Sequence, residues 1–275
     1  MQNRFALLAV CALALAACGG KSVRSDGPPS GSTRIPDLPG DAVPRPEPRS
    51  RYGNGPVYEV LGQRYRVMDS NANYQERGVA SWYGKKFHGN LTSNRETYNM
   101  YGMTAAHKTL PLPTYVRVRN LSNNRSIVVR VNDRGPFVHN RIIDLSYAAA
   151  LKLDMVRSGT GLVEVTAISF DEPQGDRPVR KATPPTPPAT GSGSAVTTNR
   201  VFVQVGAFGD RSNAERRLGV LAQAGIGNAF IHEERRAEGV LYRVRIGPVA
   251  DVVQYDVLVE ELENIGISDP YLITE

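Results

Sequence analysis

Acid–base chemistry is best supported in this sequence at Asp133. This residue ends an apolar, β-branched run, Val128–Asn132, and opens the tight turn Arg134-Gly135-Pro136. A carboxylate at the end of a strand, beside a Gly-Pro turn, is held firmly and can face a groove, where it can serve as a general acid or base. An Asx-type turn cap explains the same residue without any chemistry.

Three further ionisable residues have alternative explanations of equal or greater weight. Glu96 lies in the polar loop 92–97, where a solvated charge is the ordinary interpretation. His107 ends a Thr-Ala-Ala-His segment and either orients a carboxyl or is buried against a backbone carbonyl. Asp144 precedes the run Leu145–Leu153, whose composition predicts a helix, so we interpret Asp144 as its N-cap.

The amino terminus predicts export and attachment to a membrane. Arg4 is followed by a short apolar run, Phe5–Leu15, and then by small residues up to Cys18. This order is typical of a signal peptide over residues 1–17, and the run is too short to span a bilayer as a helix. The Leu-Ala-Ala-Cys segment resembles the bacterial lipobox, which implies diacylation of Cys18 and anchoring there. An ordinary secretory signal with a chance cysteine is the alternative.

Sorting and partner class follow from a few residues. Gly19 replaces the Asp that usually marks retention in the inner membrane, so we expect the outer membrane, facing the periplasm.

Cys11 lies in the predicted signal peptide, which leaves no cysteine pair and no Cys-based metal site, and with dispersed histidines we expect neither metal nor cofactor. The net charge is +6, or +5 without Arg4. Export disfavours nucleic acid and favours a wall polymer or the membrane surface.

Composition divides the chain into two globular domains and two linkers. Residues 18–55 are rich in Pro, Gly, Ser, Arg and Asp, and they predict a flexible tether. Residues 171–199 are a second Pro/Gly/Ser-rich linker. Residues 56–170 and 200–275 remain as domains, in agreement with a length typical of about two.

The first domain has the pattern of a small β-barrel. Strand-like runs lie at 79–83, 115–119, 126–131 and 161–168, with a hairpin connection at 121–125. A short helix is predicted over 103–108. Many short strands and few helices favour a barrel.

Four motifs in this domain resemble the rare lipoprotein A family. They are GVASWYG at 78–84, TAAHKTLP at 104–111, NDRGP at 132–136 and RIIDLSYAAA at 141–150. The resemblance implies a mainly β, six-stranded double-psi β-barrel, related to expansins and barwin. It also implies lytic transglycosylase activity on peptidoglycan. In that reaction the C6 hydroxyl of muramic acid attacks C1, so one carboxyl can serve as both base and acid, and the product is a 1,6-anhydro sugar.

The same resemblance assigns roles to individual residues. It implies that Asp133 is the general acid/base, that Glu96 assists protonation or holds a sugar hydroxyl, and that His107 orients or polarises a carboxyl. In related barrels an Asp in the Asp-Leu-Ser context of Asp144 has a catalytic role, but helix capping is our first interpretation of Asp144. As substrate-binding residues we expect Arg134 and Arg141, on the muramic lactyl carboxylate, and Tyr83, as a stacking surface.

The Glu96 loop departs from the family pattern. Members often carry Gly where this chain has Arg95, and Gly there allows a positive φ. Because Arg95 resists that conformation, we expect this loop to differ in shape.

The second domain is predicted to be an α+β domain of order βαββαβ, ferredoxin-like, with an internal repeat. It resembles the sporulation-related (SPOR) repeat over the whole domain. The resemblance implies binding of denuded glycan, peptidoglycan stripped of its stem peptides, at division septa. Strand alternation puts one set of residues on the open face of the sheet; they are Phe202, Gln204, Arg243 and Arg245. We expect the two arginines to contribute more than Gln204.

Three functions from different classes fit this organisation. The first is a lytic transglycosylase that acts on denuded glycan and aids wall remodelling and daughter-cell separation, with division proteins as candidate partners. The second is a non-enzymatic, expansin-like lipoprotein that binds septal glycan. The third is a hydrolase that uses Glu96 and Asp133 as a pair of carboxylates.

Overall fold

A computed structural model describes residues 26–29, 37–138, 140–170, 200–236, 239–268 and 270–275. Cys18 and the linker 171–199 lie outside the described residues, so the lipid anchor and this linker stay predictions. None of the helices within the described ranges combines the length and the apolar character needed to cross a membrane.

The first domain is the predicted six-stranded barrel. After a separate hairpin, β1 (Val57–Val60) and β2 (Gln63–Arg66), the barrel strands are β3 (Gln75–Tyr83), β4 (Thr104–His107), β5 (Thr114–Asn120), β6 (Ser126–Asp133), β7 (Arg141–Ser146) and β8 (Thr160–Ile168). They close in the order β3-β7-β4-β6-β5-β8, with β3/β7 and β4/β6 parallel. Apolar side chains from every strand fill the interior. Among them Ala80, Val116, Val129, Leu145 and Val163 are fully buried.

One of the two helix predictions in this domain is wrong, and the other is wrong at its start. The segment predicted as a helix over 103–108 contains strand β4, whose Ala105 and Ala106 are buried. Barrel pairing on both sides here outweighs the helix propensity of alanine. Helix α1 spans Tyr147–Lys152, and its N-cap is Ser146, whose side chain accepts from the Ala149 amide.

The predicted tether is not a free chain between residues 37 and 55. We call residues 37–55 the strap, because they are hydrogen-bonded along the outside of the barrel. Ala42 N donates to Val128 O (3.0 Å), and Ser50 N donates to Leu112 O (2.8 Å). The Asp41 carboxylate accepts from the Val128 amide (3.0 Å). An extended Pro-rich segment can satisfy its backbone on a neighbouring strand edge, which composition alone does not reveal.

The second domain has the predicted βαββαβ order. Its elements are β9 (Val201–Phe208), α2 (Arg211–Gln223), β10 (Ala229–Arg236), β11 (Gly239–Val249), α3 (Val252–Asn264) and β12 (Tyr271–Thr274), and the sheet order is β10-β11-β9-β12. Gly225, at φ 84°, follows α2 and ends it in the left-handed conformation that favours glycine. The N-cap of α2 is Asp210, whose carboxylate accepts from the Ser212 amide.

Candidate active site

Asp133 and Asp144 lie on either side of one small residue in the barrel sheet. Ala106 of β4 pairs with Asp133 of β6 on one side and with Asp144 of β7 on the other. Adjacent strands are about 5 Å apart, so the two aspartates have Cα atoms about 10 Å apart. Gly135 keeps the space between them open, because a Cβ there would lie 3.8 Å from Ala106 Cβ and 4.0 Å from Asp144 Oδ2. We call Asp133 and Asp144 the carboxylate pair.

Asp133 is held through one of its two oxygens. Its Oδ1 accepts from Ser93 N (2.8 Å), Ser93 Oγ (2.6 Å) and Arg134 N (2.8 Å). Oδ2 accepts no hydrogen bond from the residues that the structure describes. The contact with Arg134 N is the expected turn interaction, and it coexists with an oxygen available to a substrate.

Asp144 is half-buried and is not the helix cap that we predicted. It lies in β7, and the Ser81 hydroxyl donates to its Oδ1. Burial raises the pKa of the Asp144 carboxyl, although the Ser81 hydrogen bond and the charge of Arg141 oppose the shift. Ile143 and Leu145 on either side are fully buried. Interpreting the Ile-Asp-Leu-Ser run as a strand, with alternating faces, would have identified Asp144 from sequence.

Glu96 is held as an ion by Arg130 and two asparagines, and the role that the resemblance gives it stays a prediction. Both of its oxygens accept from Arg130 Nη1 (2.9 and 2.8 Å), and the side-chain amides of Asn132 and Asn94 each donate at 2.8 Å. Burial raises the pKa of Glu96, but these hydrogen bonds and the charge of Arg130 outweigh it, so the pKa is lowered. Arg130 also binds Glu47 of the strap (2.7 Å), and the Arg130 hydrogen bond lowers the pKa of Glu47 to about 2.

The Glu96 loop keeps a left-handed residue where the family often has Gly. Arg95 has φ 71°, so it adopts the positive φ that we expected it to resist. Its guanidinium lies over the Tyr52 ring of the strap, 5.4 Å from the centroid. A cation–π contact of this kind offsets part of the backbone strain.

His107 is buried and both of its ring nitrogens have partners, and the orienting role that the resemblance implies stays a prediction. It is 2% exposed, and its Nδ1 accepts from the amides of Thr109 (3.1 Å) and Leu110 (3.0 Å). Its Nε2 is 2.7 Å from the Tyr74 hydroxyl, which contacts Glu76. Burial lowers the pKa of His107 to about 3. Both ring nitrogens are therefore occupied, and the ring is neutral.

Arg134 is held by several acceptors within the fold, and its role in substrate binding stays a prediction. Its guanidinium donates to the backbone carbonyls of Gly53 (2.8 Å), His107 (3.1 Å) and Leu110 (2.6 Å), and to Asn54 Oδ1 (3.2 Å). Burial lowers its pKa to about 10. Arg134 thus ties the Asp133 turn to the strap.

Tyr83 does not offer the predicted stacking surface. It is 7% exposed, and its ring stacks on Tyr98 at 4.1 Å between centroids. A different aromatic group lies beside the turn after Asp133, which sequence reasoning missed. It consists of Tyr58, Tyr65 and Phe137, with Tyr65 5.2 Å from Tyr58 and 5.6 Å from Phe137. The aromatic residue directly after the NDRGP motif was the signal available.

The four predicted residues of the second domain lie on one sheet face, but two of them are buried. Cross-strand register forms one row of Phe230, Arg245, Gln204 and Tyr271. Arg245 is 8% exposed and contacts Glu275, and Phe202 is 5% exposed against Phe230. Arg243 donates to Glu234 (2.5 Å) and to Gln204 (3.2 Å). The accessible part of this face is therefore Gln204, Arg243 and Tyr271.

Known proteins share both domains. A family model described as lytic transglycolase matches residues 75–165, and a SPOR domain model matches residues 197–274. The endolytic peptidoglycan transglycosylase RlpA of Vibrio cholerae is 49% identical over 186 residues, which cover 66% of this chain and 69% of that protein. RlpA of Pseudomonas aeruginosa is 37% identical over 290 residues, covering 90% and 84%. The crystal structure of the SPOR domain of that RlpA covers 26% of this chain and 96% of its own, at 26% identity and a TM-score of 0.24.

The fold and these matches define the class as a lytic transglycosylase barrel joined to a SPOR domain. Within that class, the chain belongs to the RlpA family of endolytic peptidoglycan transglycosylases.

Proposed function

We propose that this protein is an endolytic lytic transglycosylase that cleaves denuded peptidoglycan strands to 1,6-anhydro-muramic ends. The carboxylate pair carries the proposal. Asp133 Oδ2 accepts no hydrogen bond from the described residues, and the half-buried Asp144 has a raised pKa, which favours Asp144 as the group that holds the proton. A pair of titratable groups in unlike environments is the usual arrangement for an acid and a base.

The two roles assigned to Asp133 by resemblance are divided between the pair in this proposal. Asp144 donates its proton to the glycosidic oxygen while the bond from that oxygen to muramic C1 breaks. The muramic C6 oxygen attacks C1, and its proton passes to Asp133. Proton exchange with solvent returns Asp133 to the carboxylate and Asp144 to the acid, so the cycle closes without a cofactor.

The surrounding groups support the binding of a sugar chain next to the pair. Tyr58, Tyr65 and Phe137 form a half-buried aromatic surface beside the turn that follows Asp133. Aromatic faces suit the apolar faces of sugar rings, and the ionised Glu96 can accept from a hydroxyl. Arg141, half-buried at the start of β7, acts on Asp144 through its charge.

The second domain and the predicted anchor supply location in this proposal. The SPOR sheet face would bind denuded glycan at septa, through Gln204, Arg243 and Tyr271, with division proteins as candidate partners. Cys18 would hold the protein at the outer membrane. Together they would confine cleavage to the wall between daughter cells.

One experiment tests the activity. The chain that begins after Cys18 is incubated with intact sacculi and with amidase-treated sacculi, and the released ends are identified by mass spectrometry. Anhydro ends, more abundant after amidase treatment, are the expected result. Reducing ends would indicate a hydrolase, and the absence of release would indicate a binding protein; either would overturn the proposal.

A further inference from the structure

A short acidic segment near the amino terminus lies against the end of strand β3. The Asp26 carboxylate accepts from Gly84 N (3.1 Å to Oδ1 and 3.4 Å to Oδ2) and from Lys86 N (3.3 Å to Oδ1). Next to it, Lys85 N donates to Gly27 O (3.0 Å). Three successive backbone amides of residues 84–86 thus point at this segment, and two of them bind one carboxylate.

The backbone at this point is shaped for close approach. A Cβ on Gly84 would lie 2.2 Å from Gly27 O, which is too close for any side chain at this position. Converging backbone amides in a turn form a concavity that binds anions. Asp26 therefore occupies a carboxylate-binding site built from the main chain, and Gly84, which has no Cβ, allows the Gly27 carbonyl to approach closely.

This carboxylate site adjoins the carboxylate pair. Ser81, two residues before Tyr83 in β3, contacts Asp144. Besides the larger effect of burial, the charge of Asp26 raises the pKa of Asp144 and of Tyr98. Gly84, whose amide binds Asp26, directly follows β3 and is three residues from Ser81, so the carboxylate site and the Ser81–Asp144 contact lie at the same end of this strand.

We propose that the amides of Gly84 and Lys86 form a subsite for the lactyl carboxylate of muramic acid, which Asp26 fills until glycan displaces it. The ligand identity rests on the proposed function. The chemistry gives a reason for a preference for denuded strands, because stem-peptide removal converts a neutral lactyl amide into a carboxylate. Charged acceptors form the stronger hydrogen bonds with backbone amides. Arg134, the other predicted partner of this carboxylate, is already bound within the fold.

Competition by Asp26 sets the size of the expected effect. A ligand that must displace an internal group binds more weakly by the fraction of molecules in which the site is open. If Asp26 fills the site in about half to nine tenths of molecules, its removal tightens binding about two- to tenfold. Asp26→Asn removes the charge without changing the barrel. Asp37→Asn, an exposed carboxylate in the strap, is the matched control.

The test is an NMR titration of the ¹⁵N-labelled chain that begins after Cys18. Two disaccharides of N-acetylglucosamine and N-acetylmuramic acid are compared. One has a free lactyl carboxylate. In the other the lactyl group is coupled to alaninamide, which leaves no carboxylate. The free acid is expected to shift the Gly84 and Lys86 amides and to bind Asp26→Asn two- to tenfold more tightly than the parent or Asp37→Asn. The amide form is expected to show no such gain.

Two results would overturn the subsite: equal gains for both disaccharides, or Gly84 and Lys86 amides that do not respond to the free acid. The disaccharide contains no bond from muramic C1 to a following sugar, so the titration does not depend on catalysis. A protein that released no anhydro ends from sacculi would refute the proposed function and leave this titration interpretable. An active enzyme with unresponsive amides would refute the subsite alone.

Discussion

The barrel and the second domain hold their charged groups in opposite ways. In the barrel, Asp133 and Asp144 are held by hydroxyl and backbone donors, and neither forms an ion pair with another described residue. On the SPOR sheet, Arg243 contacts Glu234 and Arg245 contacts Glu275. The first arrangement allows a group to change its charge, and the second keeps the charge constant.

This difference matches the two proposed tasks. A proton-transfer group must be able to gain and lose a proton, and a fixed counter-ion would hold it in one state. A charged side chain that binds a ligand needs only to exchange its carboxylate partner within the protein for the ligand. That internal partner also weakens its attraction to other anions. Within the barrel, Glu96 follows the second pattern, which is why we separate it from the carboxylate pair.

The largest expected effect is on the carboxylate pair. Asp133→Asn and Asp144→Asn should each lower the rate of anhydro-end release about 10²- to 10⁴-fold, the usual contribution of a general acid or base. Glu59→Gln, an exposed carboxylate in the β1–β2 hairpin, should leave the rate unchanged. Because Asp144 must be protonated to act, the rate should fall as the pH rises through its raised pKa. An unaltered rate in either aspartate variant would remove that residue from the mechanism.

The second effect tests Glu96 as an anchored ion. Arg130 is largely buried between Glu47 and Glu96, so Arg130→Met leaves two carboxylates without their cation. We expect the free energy of unfolding of the barrel to fall by about 3 kcal/mol. Arg125→Met breaks an exposed pair with Asp154 and should cost at most about 1 kcal/mol. Urea unfolding measures both, and similar losses in the two variants would contradict the distinction.

The third effect is an acid sensitivity caused by His107. Its pKa is about 3 in the folded protein, against about 6.5 when unfolded. Below pH 6.5 the His107 side chain binds a proton in the unfolded chain but not in the folded chain. The free energy of unfolding therefore falls with decreasing pH, by about 1.4 kcal/mol per pH unit down to about pH 3. His107→Asn, which keeps an acceptor for the Thr109 and Leu110 amides, should lack this slope in urea unfolding at pH 7, 5.5 and 4.5.

Other groups around His107 also contribute to the slope of the free energy of unfolding against pH. The measurement is therefore the difference in slope between the parent and His107→Asn. Tyr74 contacts it directly, Glu76 contacts Tyr74, and Arg134 and Lys108 act through their charges. These groups are common to both proteins. Identical slopes for the parent and His107→Asn would show that the imidazole is not held neutral.

A smaller effect is expected on the SPOR face. Arg243→Ala should weaken binding to amidase-treated sacculi about tenfold, measured by co-sedimentation. Gln204→Ala should cost less, because it provides a neutral hydrogen bond where Arg243 provides a charged one. Arg216→Ala, on helix α2, is the control. Undiminished binding by the Arg243→Ala variant would place the glycan elsewhere.

The fold was predictable because its pattern is local and repeated. Alternating apolar strands and the βαββαβ order each follow from the sequence, and strand alternation placed Gln204 and Arg243 on one face. The wrong elements have a shared cause. The Ala-Ala-His segment and Asp144 carry helix signals, but barrel pairing on both sides decided their conformation.

The site was predictable only in part, because side-chain partners come from distant segments. Asp133 was found from its turn, whereas Arg134 and His107 are occupied by carbonyls and amides that no local pattern identifies. The strap was missed for the same reason. Its Glu47 binds Arg130, which is 83 residues away in the sequence. Composition predicts only that the segment forms no core of its own, and it does not predict such a distant partner.

The smallest expected effect concerns Arg95, where the strap and the Glu96 loop meet. Arg95→Gly relieves a positive φ, worth about 1 kcal/mol, but loses the cation–π contact with Tyr52 and increases the entropy of the unfolded chain. These opposing changes should leave the free energy of unfolding within about 0.5 kcal/mol of the parent. In a Tyr52→Ala background, where the contact is already absent, Arg95→Gly should be more favourable than in the parent by about 0.5 kcal/mol. Equal effects in the two backgrounds would show that the strap does not stabilise this loop, and that the loop holds its left-handed residue through its own hydrogen bonds.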